Sequence, residues 1–191
     1  MGRIIVSEFI SLDGVMEDPG GSEGYKHGAW TFKFSRGEAG DAFKLEETLD
    51  AEALLLGRVT YEGFAAAWPS MKGPFAEKFN SMPKYVISST LADTSWNNTT
   101  LLTGDVVEEA TKLRQQLHGN IVVHGSAQLV QTLIAHDLVD ELRLMVFPIL
   151  LGAGKRLFAE TCDVKRLRLA DNKAVGDGIA ILTYVPAQEN A

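Results

Sequence analysis

The sequence predicts a single-domain α/β fold with a mostly parallel sheet, helices on both faces and an antiparallel hairpin at the end. Three observations carry this. Short apolar, β-branched runs alternate with amphipathic segments along the chain, the order expected of parallel strands joined by crossover helices. Three of these runs close on Gly57, on Ser88-Ser89-Thr90 and on Gly125, the chemistry of strand ends. Late in the chain, two extended runs flank Gly176-Asp177-Gly178, a hairpin signal. At 191 residues the chain is long enough to bury a substantial core.

In order, Arg3 to Ile10 reads as a first, central strand, ended by Ser11-Leu12-Asp13-Gly14. Residues 15–36 form an irregular stretch rich in glycine and aromatic residues, either a flap over a pocket or a surface loop pinned by its own aromatics. Glu38 to Leu49 fits a helix, and Ala51 to Leu56 a short strand closed by Gly57. A helix follows to Trp68, where Pro69 stops it, then a weaker helix over Phe75 to Met82. Tyr85 to Ile87 and Thr99 to Thr103 are strands. Asp105 and Glu108 have the spacing of a capping box for a helix reaching Leu117. The run through Ile121-Val122-Val123 is a strand, Ala127 to His136 a helix, and Glu141 to Phe147 an alternating strand. A loop at Pro148 to Gly154 leads to the hairpin strands, about Lys165–Ala174 and Ile179–Val185. The domain spans 1–186, with a loose tail over 187–191.

Composition narrows the function. The net charge is −7 and no basic stripe occurs, which argues against nucleic acid. No apolar stretch approaches the ~18 residues of a membrane span. Cys162 is the single cysteine, so an intrachain disulfide and a cysteine zinc site are excluded, and a cytoplasmic home is expected. His27, His118, His124 and His136 show no metal-ligand spacing, so no metal is expected. His124 reads as a strand-end residue.

The candidate chemistry lies at the strand ends. In an open parallel sheet, ligands bind beyond the carboxyl ends of the strands. The turns at Gly57-Arg58-Val59-Thr60 and Gly125-Ser126-Ala127 each open a helix, whose N-terminal N–H groups and dipole attract phosphate. Arg58 suits a bidentate contact such as a 2′-phosphate. The usual G-x-G-x-x-G fingerprint is absent, as are a Walker motif and a G-x-S-x-G elbow that would make Ser126 a nucleophile.

These residues resemble a known family. Ser11-Leu12-Asp13-Gly14, the stretch Leu55 to Glu62, Lys84 to Ser88, and the long block from Val123 through Leu138-Val139-Asp140-Glu141-Leu142 to Gly154 are similar to the dihydrofolate-reductase-like fold. More closely, they resemble stand-alone relatives of the C-terminal reductase domain of the bacterial riboflavin-biosynthesis deaminase–reductase. The resemblance implies NADPH as cofactor. Gly57, Arg58 and Thr60 would meet its phosphates, Ser88 and Ser89 would sit by the adenosine ribose phosphate, and Gly125, Ser126, Ala127, Gln128 and Leu129 would wrap the pyrophosphate. Two positions depart from the relatives: Gly125-Ser126 stands where dihydrofolate reductases have paired glycines, and Val123 where riboflavin reductases have glutamate. The zinc signature of the deaminase partner is missing.

On the substrate side, Asp13 could bind a ligand or cap its turn with Gly14. Asp41 precedes Gly57 at the spacing of the pocket carboxylate of dihydrofolate reductases, and equally suits a solvated first helical turn. Trp30 and Tyr61 could stack on a planar substrate or pack internally. The expected activity is an NADPH-dependent reductase acting on a small planar heterocyclic or carbonyl substrate, pterin-like or pyrimidine-like. A non-catalytic NADP-binding or sensor protein is the alternative. A homodimer is expected, with Leu144 to Leu151 as its interface if exposed.

Overall fold

The computed structural model describes residues 1–158 and 163–187. Cys162 and the tail from residue 188 lie outside them. The strands are β1 Arg3–Ser11, β2 Ala51–Gly57, β3 Lys84–Ile87, β4 Thr99–Leu102, β5 Asn120–Val123, β6 Glu141–Phe147, β7 Leu167–Val175 and β8 Ile179–Pro186. The helices are α1 Gly37–Asp50, α2 Arg58–Ala67, α3 Pro74–Ser81, α4 Val106–Gln116 and α5 Ala127–Ala135.

All eight strands form one sheet in the order β4-β3-β2-β5-β1-β6-β8-β7. The six strands from β4 to β6 are parallel, and the β7–β8 hairpin adds an antiparallel edge on β6. The central strands carry apolar residues on both faces because helices cover both. On one face Ile4, Val6, Ile121 and Val123 pack against Ala110 and Leu113 of α4 and Val130 and Leu133 of α5. On the other, Ile5, Leu54, Leu56 and Val122 pack against Tyr61 of α2 and Phe79 of α3. Trp30, Phe147, Ile179 and Ile181 form a third cluster, with Phe43 of α1 against it.

Local chemistry explains the boundaries. Asp105 caps α4, its carboxylate accepting from Val107 N and Glu108 N. Pro69 ends α2 by entering a short 3-10 turn at Trp68–Ser70, whose first turn leaves its missing N–H harmless. The 15–36 stretch holds a 3-10 turn at Trp30–Lys33. Its fold is pinned by Asp18, which accepts from Glu23 N and Tyr25 N, and by Trp30 Nε1, which donates to Glu17 O.

The exposure on which an interface over Leu144 to Leu151 is conditional is not met along most of β6: Leu144, Met145 and Phe147 are interior. The alternation of β6 supplies core residues to both faces of the sheet, leaving Leu150, at 71% exposure, as the large apolar side chain of that segment that faces out.

The topology also prepares a crevice. β1 pairs with β5 only from Arg3↔Asn120 to Val6↔Val123, yet with β6 it pairs on to Ser11↔Phe147. Past Val6, β1 runs on while β5 turns away into α5. Beyond Val6 the two strands therefore part at the carboxyl end of the sheet, where open α/β folds place their ligands.

Candidate functional site

The turn after β5 is shaped by two residues with positive φ. Gly125 has φ +57°, and a Cβ there would stand 2.7 Å from Thr60 Oγ1. Ser126 follows at φ 56° and ψ 46°. The strain is held by its bonds: Ser126 N donates to Thr60 Oγ1 at 2.9 Å, and Gly57 N donates to Ser126 Oγ at 2.9 Å. The two strand-to-helix turns thus clasp each other. Neither α2 nor α5 has a side-chain cap. With α4 the reverse holds, since Asp105 occupies its first N–H groups. Uncapped N–H groups at two adjoining helix ends make a concentrated anion seat.

Both ends open on a cavity of about 1610 Å³. Gly57, Arg58, Thr60, Ser88, Ser89, Gly125, Ser126, Ala127, Gln128 and Leu129 all line it, so one wall gathers every residue singled out for the cofactor. Among the described residues Arg58 is tied only to Glu62, at 3.0 Å, and both side chains are almost half exposed. Such an exposed pair is worth little and yields easily to a phosphate. Ser88 Oγ accepts from Thr90 N and Leu91 N, which fixes the turn after β3. Phe64, Trp68, Phe75 and Phe79 make an apolar side of the cavity.

The proposed substrate residues divide. Asp41 lines the cavity at its rim, 63% exposed and paired with Arg36 at 2.8 Å. Asp13 does not line it. Its carboxylate accepts from Ser11 Oγ at 2.6 Å, Leu151 N at 3.1 Å and Gly152 N at 2.8 Å, bracing the 148–154 loop against the end of β1. The Ser11 hydroxyl and these N–H groups hold it at a pKa of about 2, so it stays ionised and committed to the loop. Trp30 and Tyr61 also fall outside the lining, at 0% and 2% exposure. Trp30 packs edge-on against Phe147, and the Tyr61 hydroxyl accepts from Trp96 N, so both are core residues rather than stacking platforms.

A group of charges that the sequence reading passed over builds the cavity floor: Ser7, Glu8, Lys44 and His124 line the cavity, and Glu47 and Arg143 support them from outside the lining. Lys44 and Glu47 of α1 point inward and pair with each other and with Ser7 Oγ. Arg143 of β6 reaches Glu47 at 3.4 Å. Burial alone would raise the Glu47 pKa, but Lys44, His124 and the Ser7 hydroxyl outweigh it and hold it at about 2. His124 Nδ1–H donates to Ser7 O at 2.9 Å, and burial beside Lys44 lowers its pKa to about 4, leaving it neutral at pH 7. Glu8, on β1 just past the last residue paired with β5, lines the same cavity. Its Oε2 accepts from Gly125 N at 2.9 Å. The signal for this floor was a polar Ser7-Glu8 pair inside an otherwise apolar central strand. Among the described residues no cluster of His, Cys, Asp and Glu could hold a metal, and no helix is long and apolar enough to cross a membrane.

Comparison with known proteins agrees with this architecture. The chain is 27% identical over 187 residues to the uncharacterized protein YyaP of Bacillus subtilis (strain 168), covering 95% of this chain and 94% of that one. A pyrimidine reductase-like protein from Corynebacterium diphtheriae superposes with a TM-score of 0.70 at 14% identity, covering 98% of this chain and 92% of that one. Dihydrofolate reductase from Enterococcus faecalis, complexed with NADP(H), superposes with a TM-score of 0.63 at 16% identity, covering 97% of each chain. The model of the RibD C-terminal domain matches residues 3–181, and the chain therefore belongs to this family of reductase-type domains with the dihydrofolate-reductase-like fold.

Proposed function

We propose that the chain is an NADPH-dependent reductase that transfers hydride to a small planar heterocyclic or carbonyl substrate. The observation that carries this reading is the convergence of two uncapped helix N-termini, α2 and α5, with Arg58, Ser88 and Ser89 along one wall of a single cavity. The donor set fits a dinucleotide. Backbone N–H groups suit the diphosphate, the guanidinium suits a further phosphate, and the close approach at Gly125 leaves no room for a side chain that would block the turn. A protein of the same fold, the Enterococcus faecalis dihydrofolate reductase, is complexed with NADP(H), which supports the choice of cofactor.

The reduced nicotinamide, when bound, supplies the hydride. The chain's residues do the rest. The α2 and α5 ends bind and orient the phosphates. Phe64, Trp68, Phe75 and Phe79 exclude water from one side of the cavity. Phe9, Phe34 and Phe147, packed edge-to-face and also lining the cavity, give apolar surface against which a planar ring can pack.

Calorimetric titration with NADPH tests this directly, and absence of binding at millimolar concentration would remove the proposal. Arg58→Ala should narrow the preference for NADPH over NADH by roughly ten- to a hundredfold, as loss of a charged hydrogen bond of about 1.5–3 kcal/mol implies. Binding without oxidation of NADPH by any of a panel of heterocyclic and carbonyl compounds would favour a non-catalytic binding protein instead.

A further inference from the structure

Glu8 is the one carboxyl of the cavity floor left with an unanswered oxygen. Its residue is 5% exposed, its Oε2 is held by Gly125 N at 2.9 Å, and its Oε1 has no hydrogen-bond partner among the described residues. A buried acceptor without a partner is costly, so a native structure that keeps one calls for a reason. The placement supplies it. Glu8 stands just past the point where β1 and β5 part, bonded to the Gly125 turn and next in the strand to Phe9, and all three residues line the cavity. We propose, on the reading of this cleft as a reductase site, that Glu8 stores on its enclosed Oε1 the proton that the reduction consumes and, with a turn of the carboxyl toward the cavity that the residue lines, delivers it to the nitrogen or oxygen of a C=N or C=O substrate.

The surroundings suit that task. A carboxylic acid has one O–H to offer, and the Gly125 N–H fixes which oxygen keeps it by claiming the other. The charged groups around Glu8 largely cancel. Lys44 of α1 is spent on Glu47, Arg143 of β6 is bound to Glu47 and Glu141, and His124 at the end of β5 is neutral at pH 7. Burial then raises the Glu8 pKa well above the ordinary range, against the opposing pull of Gly125 N–H and Lys44. Glu47, which accepts from Ser7, Lys44 and Arg143, cannot do the same, and Asp41 at the rim is paired with Arg36.

The step balances. Hydride from the reduced nicotinamide forms a C–H bond at the substrate carbon. The Oε1–H bond of Glu8 breaks as an N–H or O–H bond forms on the adjoining atom. The substrate gains two electrons and two protons, one of them carried by the hydride and one supplied by Glu8; the dinucleotide is oxidised to its positively charged form and Glu8 is left as a carboxylate. Solvent returns the proton when product and oxidised cofactor leave. The same charge pairing predicts that the oxidised dinucleotide, with no substrate present, favours the ionised carboxyl.

Infrared spectroscopy of the whole chain at pH 7, with NADPH and NADP⁺ as the probes, reads this without turnover. The wild type should show the C=O stretch of a neutral carboxylic acid that Glu8→Gln lacks. Saturating NADP⁺ should remove that band, and NADPH should leave it. Fluorescence titration of the same samples follows cofactor binding separately. If neither dinucleotide binds, the reductase reading fails and the assignment with it. If both bind while the band is missing, or is unmoved by NADP⁺, the reading stands and the assignment of Glu8 is overturned, since a merely structural acid keeps its band. The glutamine amide can still accept from Gly125 N, and if the variant does not fold, the NADP⁺ response of the wild-type band decides alone.

Discussion

The two sides of the cleft hold their shape by different means. The α2 and α5 ends form a wall of backbone, where the uncapped first turns of the two helices present N–H groups, while the N–H groups of Gly57 and Ser126 are spent on the clasp between the turns. The Glu8–Lys44–Glu47–His124 floor is built of charged and polar side chains, each dependent on its neighbour. A backbone wall tolerates change in the side chains around it and fails when its dihedral angles are disturbed. A buried charge network fails when any one partner is removed. That difference orders the expected effects of mutation.

The largest effect should come from the floor. Lys44→Met leaves Glu47 buried beside Arg143 alone, and breaking a buried pair in this way costs about 3–5 kcal/mol. Urea unfolding should show the loss, and adding Glu47→Leu should restore much of it. Recovery in the double variant would show that the pair serves the site rather than stability. Full stability of Lys44→Met alone would mean that the floor is not the coupled network described here.

A smaller effect belongs to the wall. Gly125→Ala forces an L-residue into the left-handed region and drives its Cβ against Thr60, a strain of about 1–2 kcal/mol before any adjustment. The fold should survive with a modest fall in Tm, while NADPH affinity falls at least tenfold. Unchanged affinity would separate the turn from the binding site.

The smallest effect should come from Asp13, which belongs to neither side. Asp13→Asn should cost about 1 kcal/mol at neutral pH and leave NADPH affinity unaltered. Because the folded pKa lies near 2, below the ordinary carboxylate value, the wild type's advantage is present above about pH 4 and is lost as pH falls toward 2. Denaturant midpoints of the two proteins should therefore converge in acid. A loss of cofactor binding in this variant would return Asp13 to the site.

The backbone wall was legible in the sequence because turn chemistry is local. A glycine or a hydroxyl residue between a strand and a helix marks a strand end whatever surrounds it, and three such ends in one parallel sheet must share an edge. The β-strands, the crossover helices and the hairpin were legible for the same reason, with Asp105 announcing α4 from its position alone. The floor was not, because its meaning is tertiary. Lys44 and Glu47 have the spacing of an ordinary solvated helical pair, and only the packing of α1 on β1 turns them inward. Trp30 and Tyr61 misled in the opposite sense: aromatic residues near a site suggest stacking, yet both were drawn into the core by the area they bury. Asp13 was recruited by the 148–154 loop, a partner far along the chain that no local pattern reveals.

The mutual clasp of Ser126 with Gly57 and Thr60 bears on rates as well as on shape. Two helix ends joined in this way cannot adjust one at a time. The anion seat is fixed when the chain folds, and a ligand arriving there has little protein ordering left to supply. Capture should then proceed at a rate set by diffusion and orientation, and variants of the clasp should differ chiefly in how long the dinucleotide stays. On the proposed function, loosening either hydrogen bond would shorten the dinucleotide's residence without slowing its arrival, and this small polar latch would set the time available for the proposed chemistry.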